Sequence, residues 1–377
     1  MIEKKMLFSP GPVITSERVK SSLYHPDMCH RRPVFEQVFR RVRENILRVF
    51  QANEDYTAVV VSGSGTAANE TGLCSAIKDT NGVLLIKNGE FGERLHEILN
   101  CYRLCSHVLE YPWGATPNIS DIAYLLSENE SIRWVCMVYH ETSTGMRNPV
   151  YQVGELVDKY QRKLFVDCIS AVGGEDINVV RDNIDVCSGV PNKALGGLPG
   201  VSFLVAKRSS IPTLEEIPKR NIYLNLQTHI AIAELTEQTP NTPSVTMVVA
   251  LDEALQELFD EGLEKRIKRY QECSRIIRAG VKNLNLQTLI PENLNSNTVT
   301  SVFLPQSIKL EEFINELDRQ GYVVYPGKRH LYQKNMFQIA NMGQIQPQDC
   351  EEFLQVLEET LNRLVEINDI MAMGTQR

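Results

Sequence analysis

The chain has 377 residues, of which 43% are hydrophobic and 23% are charged, and its formal net charge at pH 7 is −8. These values are typical of a globular protein large enough for more than one domain, and they argue against nucleic acid or an anionic membrane as the main partner. The apolar runs are too short to span a bilayer, and the first residues lack the apolar stretch of a signal peptide. We therefore expect a cytoplasmic protein.

The cysteines number nine and lie mostly in apolar runs, which is typical of reduced, buried thiols. Cys101 and Cys105 have a spacing that metal ligands can have, but no second pair of Cys or His residues with ligand spacing accompanies them. We expect no metal site.

The predicted elements begin with a helix over 35–50, which follows an irregular N-terminal arm (residues 1–30) and shows apolar residues at helical spacing. Four short apolar runs then alternate with turns and helices, and they are residues 57–61, 83–86, 134–138 and 164–167. Apolar strands that alternate with helices predict a mostly parallel sheet covered on both faces. The turns that follow its strands should meet at one edge, where ligands of such sheets bind.

A change in pattern after about residue 239 indicates a second, smaller unit. A long helix over about 245–284, with a possible break near Gly262, leads into it. The elements predicted for this unit are strand 298–304, helix 310–320, strands 322–325 and 336–340, and helix 347–367. We expect a large α/β domain over residues 31–250, and over 251–377 the connecting helix with a small α+β domain.

Lys193 lies in a loop rich in Gly and Pro (residues 188–200) that precedes a predicted strand at 201–206. Because its neighbours are uncharged, the amine can be desolvated, which lowers its pKa and makes it a nucleophile for carbonyl groups. A single lysine of this kind is more often a solvated loop residue. The chemical interpretation therefore depends on what else lies at the same edge.

Further turns at that edge carry groups that would complement a cofactor. Residues 62–66 open a helix, and their N–H groups and hydroxyls suit a phosphate. Asp167 closes a buried strand, Phe91 lies in a turn flanked by glycines, and His140 and Glu141 could be acid–base groups. Each feature also has an ordinary structural explanation, but pyridoxal phosphate needs an anion site, a stacking face, a ring partner and a lysine together.

Several stretches share their order and spacing with one known family. They are Ser-Pro-Gly-Pro (9–12), Ser-Gly-Ser-Gly-Thr (62–66), Asn-Gly-Glu-Phe-Gly (88–92), Glu-Thr-Ser-Thr-Gly with Met-x-Asn-Pro (141–149), Val-Asp-x-Ile-Ser-Ala-x-Gly-Gly (166–174), Asn-Lys with Pro-Gly (192–200) and Tyr-Pro-Gly-Lys (325–328). Over nearly its whole length the chain resembles the class V, fold-type I pyridoxal-phosphate aminotransferases, and most closely the 2-aminoethylphosphonate–pyruvate and alanine/serine–glyoxylate transaminases. The resemblance implies a mostly parallel sheet of seven strands with a smaller C-terminal α+β domain.

The resemblance also implies roles for individual residues. Lys193 would form the imine with pyridoxal phosphate and carry protons, and Asp167 would pair with the pyridine nitrogen. Phe91 would stack on the ring, Ile169 would pack beneath it, and Ser143 would donate to the phenolic oxygen. The residues expected at the phosphate are Ser64, Gly65, Thr66, Asn192 and, from the second subunit of a homodimer, Thr239 and Thr242.

The main departure from the family is Gln338, at the position of an arginine that binds the substrate carboxylate through a bond worth about 1.5–3 kcal/mol. A second departure is Val190-Pro191 before Asn192, where small or hydroxyl residues are usual. The substrate contacts that we expect are Gly11, Arg31 and Gln338. The cations that could supply the missing charge are Arg31, Arg32, Lys328 and Arg329.

From the resemblance we expect an aminotransferase that acts on a small amine or amino acid. The donor would be of the 2-aminoethylphosphonate, alanine or serine type, and the acceptor a keto acid of the pyruvate or glyoxylate type. Because the arginine is missing, a lyase, decarboxylase or desulfurase of the same fold is an alternative hypothesis. A third hypothesis is a homologue that binds the cofactor without catalysis, although the intact Lys193 and Asp167 argue against it.

Overall fold

A computed structural model of the chain describes residues 4–104, 107–213, 216–217 and 219–374, with side chains as far as residue 366. Cys105, considered above as one of a metal-ligand pair, lies outside the described residues, as do the first three residues of the predicted arm. Within these ranges no helix is long and apolar enough to cross a membrane. The same ranges contain no group of three His, Cys, Asp or Glu side chains that could hold a metal ion.

A twisted sheet of seven strands forms the centre of the large domain. In spatial order its strands, numbered along the chain, are β2 (Tyr56–Ser62), β10 (Val201–Lys207), β9 (Val186–Gly189), β8 (Lys163–Asp167), β5 (Ile132–Val138), β3 (Gly82–Lys87) and β4 (His107–Glu110). Neighbouring strands are parallel except at β10, which is antiparallel to both β2 and β9. The predicted seven-stranded, mostly parallel sheet is confirmed.

The inner strands are apolar on both faces because helices cover both sides of the sheet. Successive residues of a strand point to opposite faces. One core contains Val60, Leu84, Val135 and Val166, and the core on the other face contains Val59, Leu85, Cys136 and Phe165. Burial on both faces explains why these strands read as continuous apolar runs in the sequence.

Helices surround this sheet and continue into the small domain. Those that the structure describes are α1 (Glu17–Ser21), α2 (Pro33–Val49), α3 (Gly65–Ala76), α4 (Glu90–Cys101), α5 (Ile119–Glu128), α6 (Val150–Lys159), α7 (Leu226–Thr236), α8 (Val245–Glu261), α9 (Leu263–Asn283), α10 (Leu310–Arg319), α11 (His330–Gln333) and α12 (Pro347–Gly374). The long helix predicted over 245–284 is interrupted at Gly262, where the backbone has φ 91°. The sequence did not predict α7.

The small domain is built on an antiparallel sheet. Its strands in spatial order are β11 (Gln287–Thr288), β12 (Val299–Phe303), β15 (Met336–Ala340) and β14 (Tyr325–Pro326). A separate pair is formed by β13 (Tyr322–Val323) with β1 (Met6–Leu7) of the N-terminal arm. The single strand predicted over 322–325 is therefore two short strands, because its two ends pair with different partners.

The remaining strands, β6 (His140–Glu141) and β7 (Met146–Arg147), form a short antiparallel ribbon after β5. This ribbon carries the predicted Glu-Thr-Ser-Thr-Gly turn and lies at the carboxyl edge of the central sheet. It therefore places residues 142–145 between the large sheet and the small domain.

The packing of the cores shows how the arm and the connecting helices are held. Phe8 of the arm is part of the small-domain core, whereas Val19 belongs to the large core. Helix α8 contributes apolar side chains as far as Leu258 to the large core. The domain boundary expected between residues 250 and 251 thus falls inside α8.

Candidate active site

A cavity of about 440 Å³ lies at the carboxyl edge of the central sheet. It is lined by the turns that follow β2, β5, β8 and β9, and by the beginning of α4. These strands point in the same direction, so their carboxyl ends meet at this edge. The volume is in the range of small-molecule sites.

Lys193 reaches the cavity from the loop between β9 and β10, and its Nζ donates a hydrogen bond to the carbonyl of Pro10. Gly11 has φ 127°, and a Cβ atom there would lie 2.7 Å from Nζ, so only glycine lets the arm pass so close to the amine. Burial, reinforced by the charge of Lys328, lowers the pKa of Lys193 to about 8, although Asp167 acts in the opposite sense. At this pKa about a tenth of the amine is neutral at pH 7, and about half at pH 8.

Asp167, the last residue of β8, is 4% exposed and accepts two hydrogen bonds. The backbone N–H of Ile169 donates to Oδ1 at 2.9 Å, and the amide of Asn69 donates to Oδ2 at 2.7 Å. The hydroxyl of Ser188 donates to Asn69 Oδ1 at 2.6 Å, which fixes the orientation of that amide. Burial raises the pKa of Asp167, and the two hydrogen bonds oppose this rise by favouring the charged form.

We predict that Asn69→Ala destabilises the protein more at pH 8 than at pH 5. The substitution removes a donor from a buried carboxylate, a bond worth about 1.5–3 kcal/mol to a charged group. It therefore raises the pKa of Asp167 further. The loss of unfolding free energy caused by the substitution disappears as the pH falls and Asp167 becomes protonated. Urea unfolding at the two pH values measures the difference.

Asn148→Ala is the matched control for this prediction. Asn148 is also buried, but its amide donates to Asn88 and to the carbonyl of Val138 and contacts no carboxylate. Its loss should cost the same free energy of unfolding at pH 5 and pH 8. Equal pH dependence of the two variants would show that Asn69 does not control the charge of Asp167.

The predicted phosphate-binding turn lies at the beginning of α3, on the cavity wall. Ser64, Gly65 and Thr66 all line the cavity, and Asn192 lines it beside Lys193. A Cβ atom on Gly65 would lie 2.5 Å from the side chain of Ile169, so a larger residue would push the helix end away. The free N–H groups and positive end of α3 suit an anion.

Phe91 lies in the first turn of α4 and lines the cavity. The beginning of that helix is held by Glu141, whose carboxylate accepts hydrogen bonds from the N–H groups of Gly92 (3.1 Å) and Phe91 (3.4 Å). Burial raises the pKa of Glu141 to about 7, and the donors around it favour its charged form. Glu141 therefore positions the aromatic ring and does not face the cavity.

Ser143, expected at the phenolic oxygen of the cofactor, contacts Glu141 and the beginning of α4 in this structure. Its hydroxyl donates to Glu141 and accepts the N–H of Glu90 at 3.1 Å, so it also serves to cap α4. Thr142 lines the cavity instead. Adjacent residues in this ribbon and turn face different sides, and a motif alone does not show which of two neighbouring hydroxyls faces inward.

His140 lines the cavity and is 1% exposed. Its Nδ1 lies 3.1 Å from the carbonyl oxygen of Ser170, and its buried Nε2 has no hydrogen-bond partner among the described residues. Burial lowers the pKa of His140 to about 4, so the ring is neutral at pH 7. With Nδ1 donating to the carbonyl, Nε2 can only accept.

None of the three residues expected to contact the substrate is among those that line the cavity, although Gly11 lies against Lys193. Arg31 donates to the carbonyl of Thr239 at 2.7 Å and to the Gln238 side chain at 2.8 Å. Gln338 is buried in β15, where its amide nitrogen donates to the carbonyl of Thr142 at 2.7 Å and to the Ser301 hydroxyl at 3.0 Å. Both side chains hold structural segments in place, and their contact with a substrate stays a prediction.

The two threonines expected from a second subunit also lie away from the cavity of their own chain. The Thr239 hydroxyl donates to the carbonyl of Asn241 at 2.7 Å, and Thr242 is exposed. Sequence reasoning missed several residues that line the cavity, and Asn69 and Arg94 are the two of them that lie on helices. Each lies one helical turn after a predicted contact, Gly65 and Phe91, and this spacing could have identified them.

The chain was compared with known families and proteins. The model of the aminotransferase class V family matches residues 16–343. An uncharacterized aminotransferase of Methanocaldococcus jannaschii is 32% identical over 342 residues, which cover 90% of this chain and 88% of the relative. A 2-aminoethylphosphonate–pyruvate transaminase of Lysinibacillus sphaericus is 31% identical over 355 residues, which cover 93% and 96%.

Solved structures show the same fold. A ureidoglycine–glyoxylate aminotransferase of Bacillus subtilis superposes with a TM-score of 0.88 at 26% identity, covering 96% of this chain and 94% of that one. An alanine–glyoxylate aminotransferase of Nostoc sp. has a TM-score of 0.89 at 24% identity, covering 96% of both chains.

The mostly parallel central sheet and the small C-terminal domain are those of the fold-type I transferases. The chain belongs to the class V aminotransferase family, whose enzymes use pyridoxal phosphate. It is therefore an aminotransferase, and the family resemblance found in the sequence is confirmed.

Proposed function

We propose that this protein uses pyridoxal phosphate to move an amino group from a small, acidic amine to a keto acid. The donor is of the 2-aminoethylphosphonate, alanine or serine type, and the acceptor of the pyruvate or glyoxylate type, in line with the names of the relatives. The observation that carries this proposal is the convergence of Lys193, Asp167 and the beginning of α3 on one cavity.

The residues around the cavity fit the cofactor. Within the described ranges no Lys, Arg or His forms an ion pair with the buried Asp167, and an unpaired buried carboxylate is costly unless a ligand supplies the positive charge. A protonated pyridine nitrogen is such a partner. Phe91 and Ile169 would contact the ring, and Asn192 with the first residues of α3 would hold the phosphate.

Once bound, pyridoxal phosphate withdraws electrons from the carbon that carries the amino group. Lys193 would take the proton released at that carbon, and its lowered pKa of about 8, which leaves part of the amine neutral near pH 7–8, supports this role. Asp167, when charged and paired with the ring nitrogen, would keep that nitrogen protonated. His140, which is neutral, could accept a hydrogen bond at Nε2.

We further propose a cytoplasmic homodimer in which Thr239 and Thr242 reach the cofactor phosphate of the other subunit. The support for this is that both threonines lie outside the cavity of their own chain, while Arg31 fixes the segment that carries them. The partners of the dimer would be small amines and keto acids.

A half-reaction tests the proposed activity. The enzyme, loaded with pyridoxal phosphate, is mixed with 2-aminoethylphosphonate, alanine or serine and no keto acid. One equivalent of carbonyl product per active site, followed by recovery of the original absorbance on addition of pyruvate or glyoxylate, is the expected result. Product beyond one equivalent without an acceptor would favour the lyase alternative, and a bound but unreactive cofactor would favour the non-catalytic homologue.

A further inference from the structure

We propose that Arg94 and Lys328 together bind the acid group of the substrate, and that they favour a doubly charged group such as a phosphonate over a carboxylate. This assignment rests on the aminotransferase function proposed above. It identifies a substrate-binding subsite at the Phe91 side of the cavity, formed by one cation from the large domain and one from the small domain.

In the family that this chain resembles, an arginine at the position of Gln338 supplies the positive charge for the substrate carboxylate. In this chain that position supplies no charge. Gln338 is neutral and 2% exposed, and its amide nitrogen is already bonded to the Thr142 carbonyl and the Ser301 hydroxyl. A substrate anion needs charged donors to replace its lost hydration, since such bonds are about twice as strong as neutral ones. The charge must therefore come from another part of the site.

Arg94 and Lys328 meet this need because both lie over the ring of Phe91. Arg94 lines the cavity from α4, and its guanidinium carbon is 5.1 Å from the ring centroid. Lys328 follows β14 of the small domain, and its Nζ is 4.8 Å from the same centroid. Arg94 thus lies at the Phe91 end of the cavity that holds Lys193, and Lys328, although not among the residues that line this cavity, reaches the same ring.

Neither cation is neutralised by an ion pair in the part of the chain that the structure describes. The neighbouring Arg329, in contrast, binds Glu90 at 2.7 Å and Glu93 at 2.5 Å. Both Lys328 and Arg94 lower the pKa of Lys193 through their charge, which places them within electrostatic reach of the reacting amine. Two unpaired cations attract a dianion more strongly than a monoanion at the same distance.

The experiment measures the binding of two unreactive acids to the enzyme loaded with pyridoxal phosphate. Ethylphosphonate and propionate lack an amino group, so calorimetry, at a pH above the second pKa of ethylphosphonate so that it is a dianion, gives their dissociation constants without turnover. Arg94→Gln and Lys328→Gln are each expected to weaken ethylphosphonate binding about tenfold to a hundredfold and propionate binding less. Arg94→Lys, which keeps the charge, should restore part of the affinity.

Lys334→Gln is the matched control, because Lys334 is an exposed lysine of the same domain whose loss changes the net charge equally. It should leave both dissociation constants unchanged. Equal affinity of wild type and both Gln variants for ethylphosphonate would overturn the assignment. So would a loss of pyridoxal-phosphate affinity with no loss of ethylphosphonate affinity, since the two cations would then serve the cofactor.

The subsite and the proposed activity can fail separately. Ethylphosphonate binding that depends on Arg94 and Lys328 supports the subsite even if the half-reaction yields no carbonyl product. A half-reaction that proceeds with 2-aminoethylphosphonate at the same KM in wild type and in both Gln variants would leave the aminotransferase activity standing and overturn the subsite.

Discussion

Lys193→Ala is expected to reduce the half-reaction by at least about 10²–10⁴-fold, the usual contribution of a positioned acid–base group. Burial and the charge of Lys328 give this amine a pKa of about 8, and Gly11 leaves the space in which it moves. Alanine would remove the side chain that we propose as both the nucleophile and the proton carrier. Rapid-mixing absorbance measurements on the loaded enzyme give the single-turnover rate.

The control for this prediction is Lys334→Ala, which removes an exposed lysine and should leave the rate unchanged. A small primary amine in the buffer should partly restore the rate of Lys193→Ala, because it can carry the proton in the space that the side chain vacates. A rate within tenfold of wild type, with no response to added amine, would contradict the role given to Lys193.

Asp167→Asn is expected to slow the half-reaction roughly 10- to 160-fold, because a bond to a charged group is worth about 1.5–3 kcal/mol. Asparagine has nearly the same shape, but it cannot balance a positive charge on the ring nitrogen. The cofactor-free variant should be as stable as wild type. Burial disfavours the charged form of Asp167 and so raises its pKa, whereas asparagine has no charge to bury. Urea unfolding and single-turnover kinetics separate the two effects.

Asp185→Asn provides the comparison for Asp167→Asn. Asp185 precedes β9 at the opposite edge of the sheet, where it accepts hydrogen bonds from the Leu164 N–H at 2.8 Å and the Ser210 hydroxyl at 2.5 Å. Burial raises the pKa of Asp185 as well, so Asp185→Asn should affect stability as little as Asp167→Asn does, and it should leave the single-turnover rate unchanged. Similar rate losses in both variants would contradict a specific function of the Asp167 charge.

The sequence was most informative where burial dictates residue type. The strands of the central sheet are buried on both faces, so β2, β3, β5 and β8 appear as apolar runs that tertiary contacts do not alter. Lys193 and Asp167 could be located because each follows or ends such a run. The break at Gly262 was predictable because glycine readily adopts the positive φ found there.

Features that depend on tertiary partners could not be predicted. Residues 322–326 form one apolar and aromatic stretch, but its halves pair with β1 and β15, which are far away in sequence. The choice between Thr142 and Ser143 depends on Glu141, whose hydrogen bonds to α4 require the folded arrangement of both elements. Helix α7 has few charged residues and no apolar stripe, so its sequence gives little periodic signal.

The most direct test of the central claim identifies the lysine that reacts with pyridoxal phosphate. The cofactor-loaded protein is reduced with borohydride, digested and analysed by mass spectrometry. One phosphopyridoxyl group per chain, on the peptide that contains Lys193, is the result that the structure predicts. Modification spread over exposed lysines, with Lys193 unmodified, would contradict the assignment of this cavity as the active site.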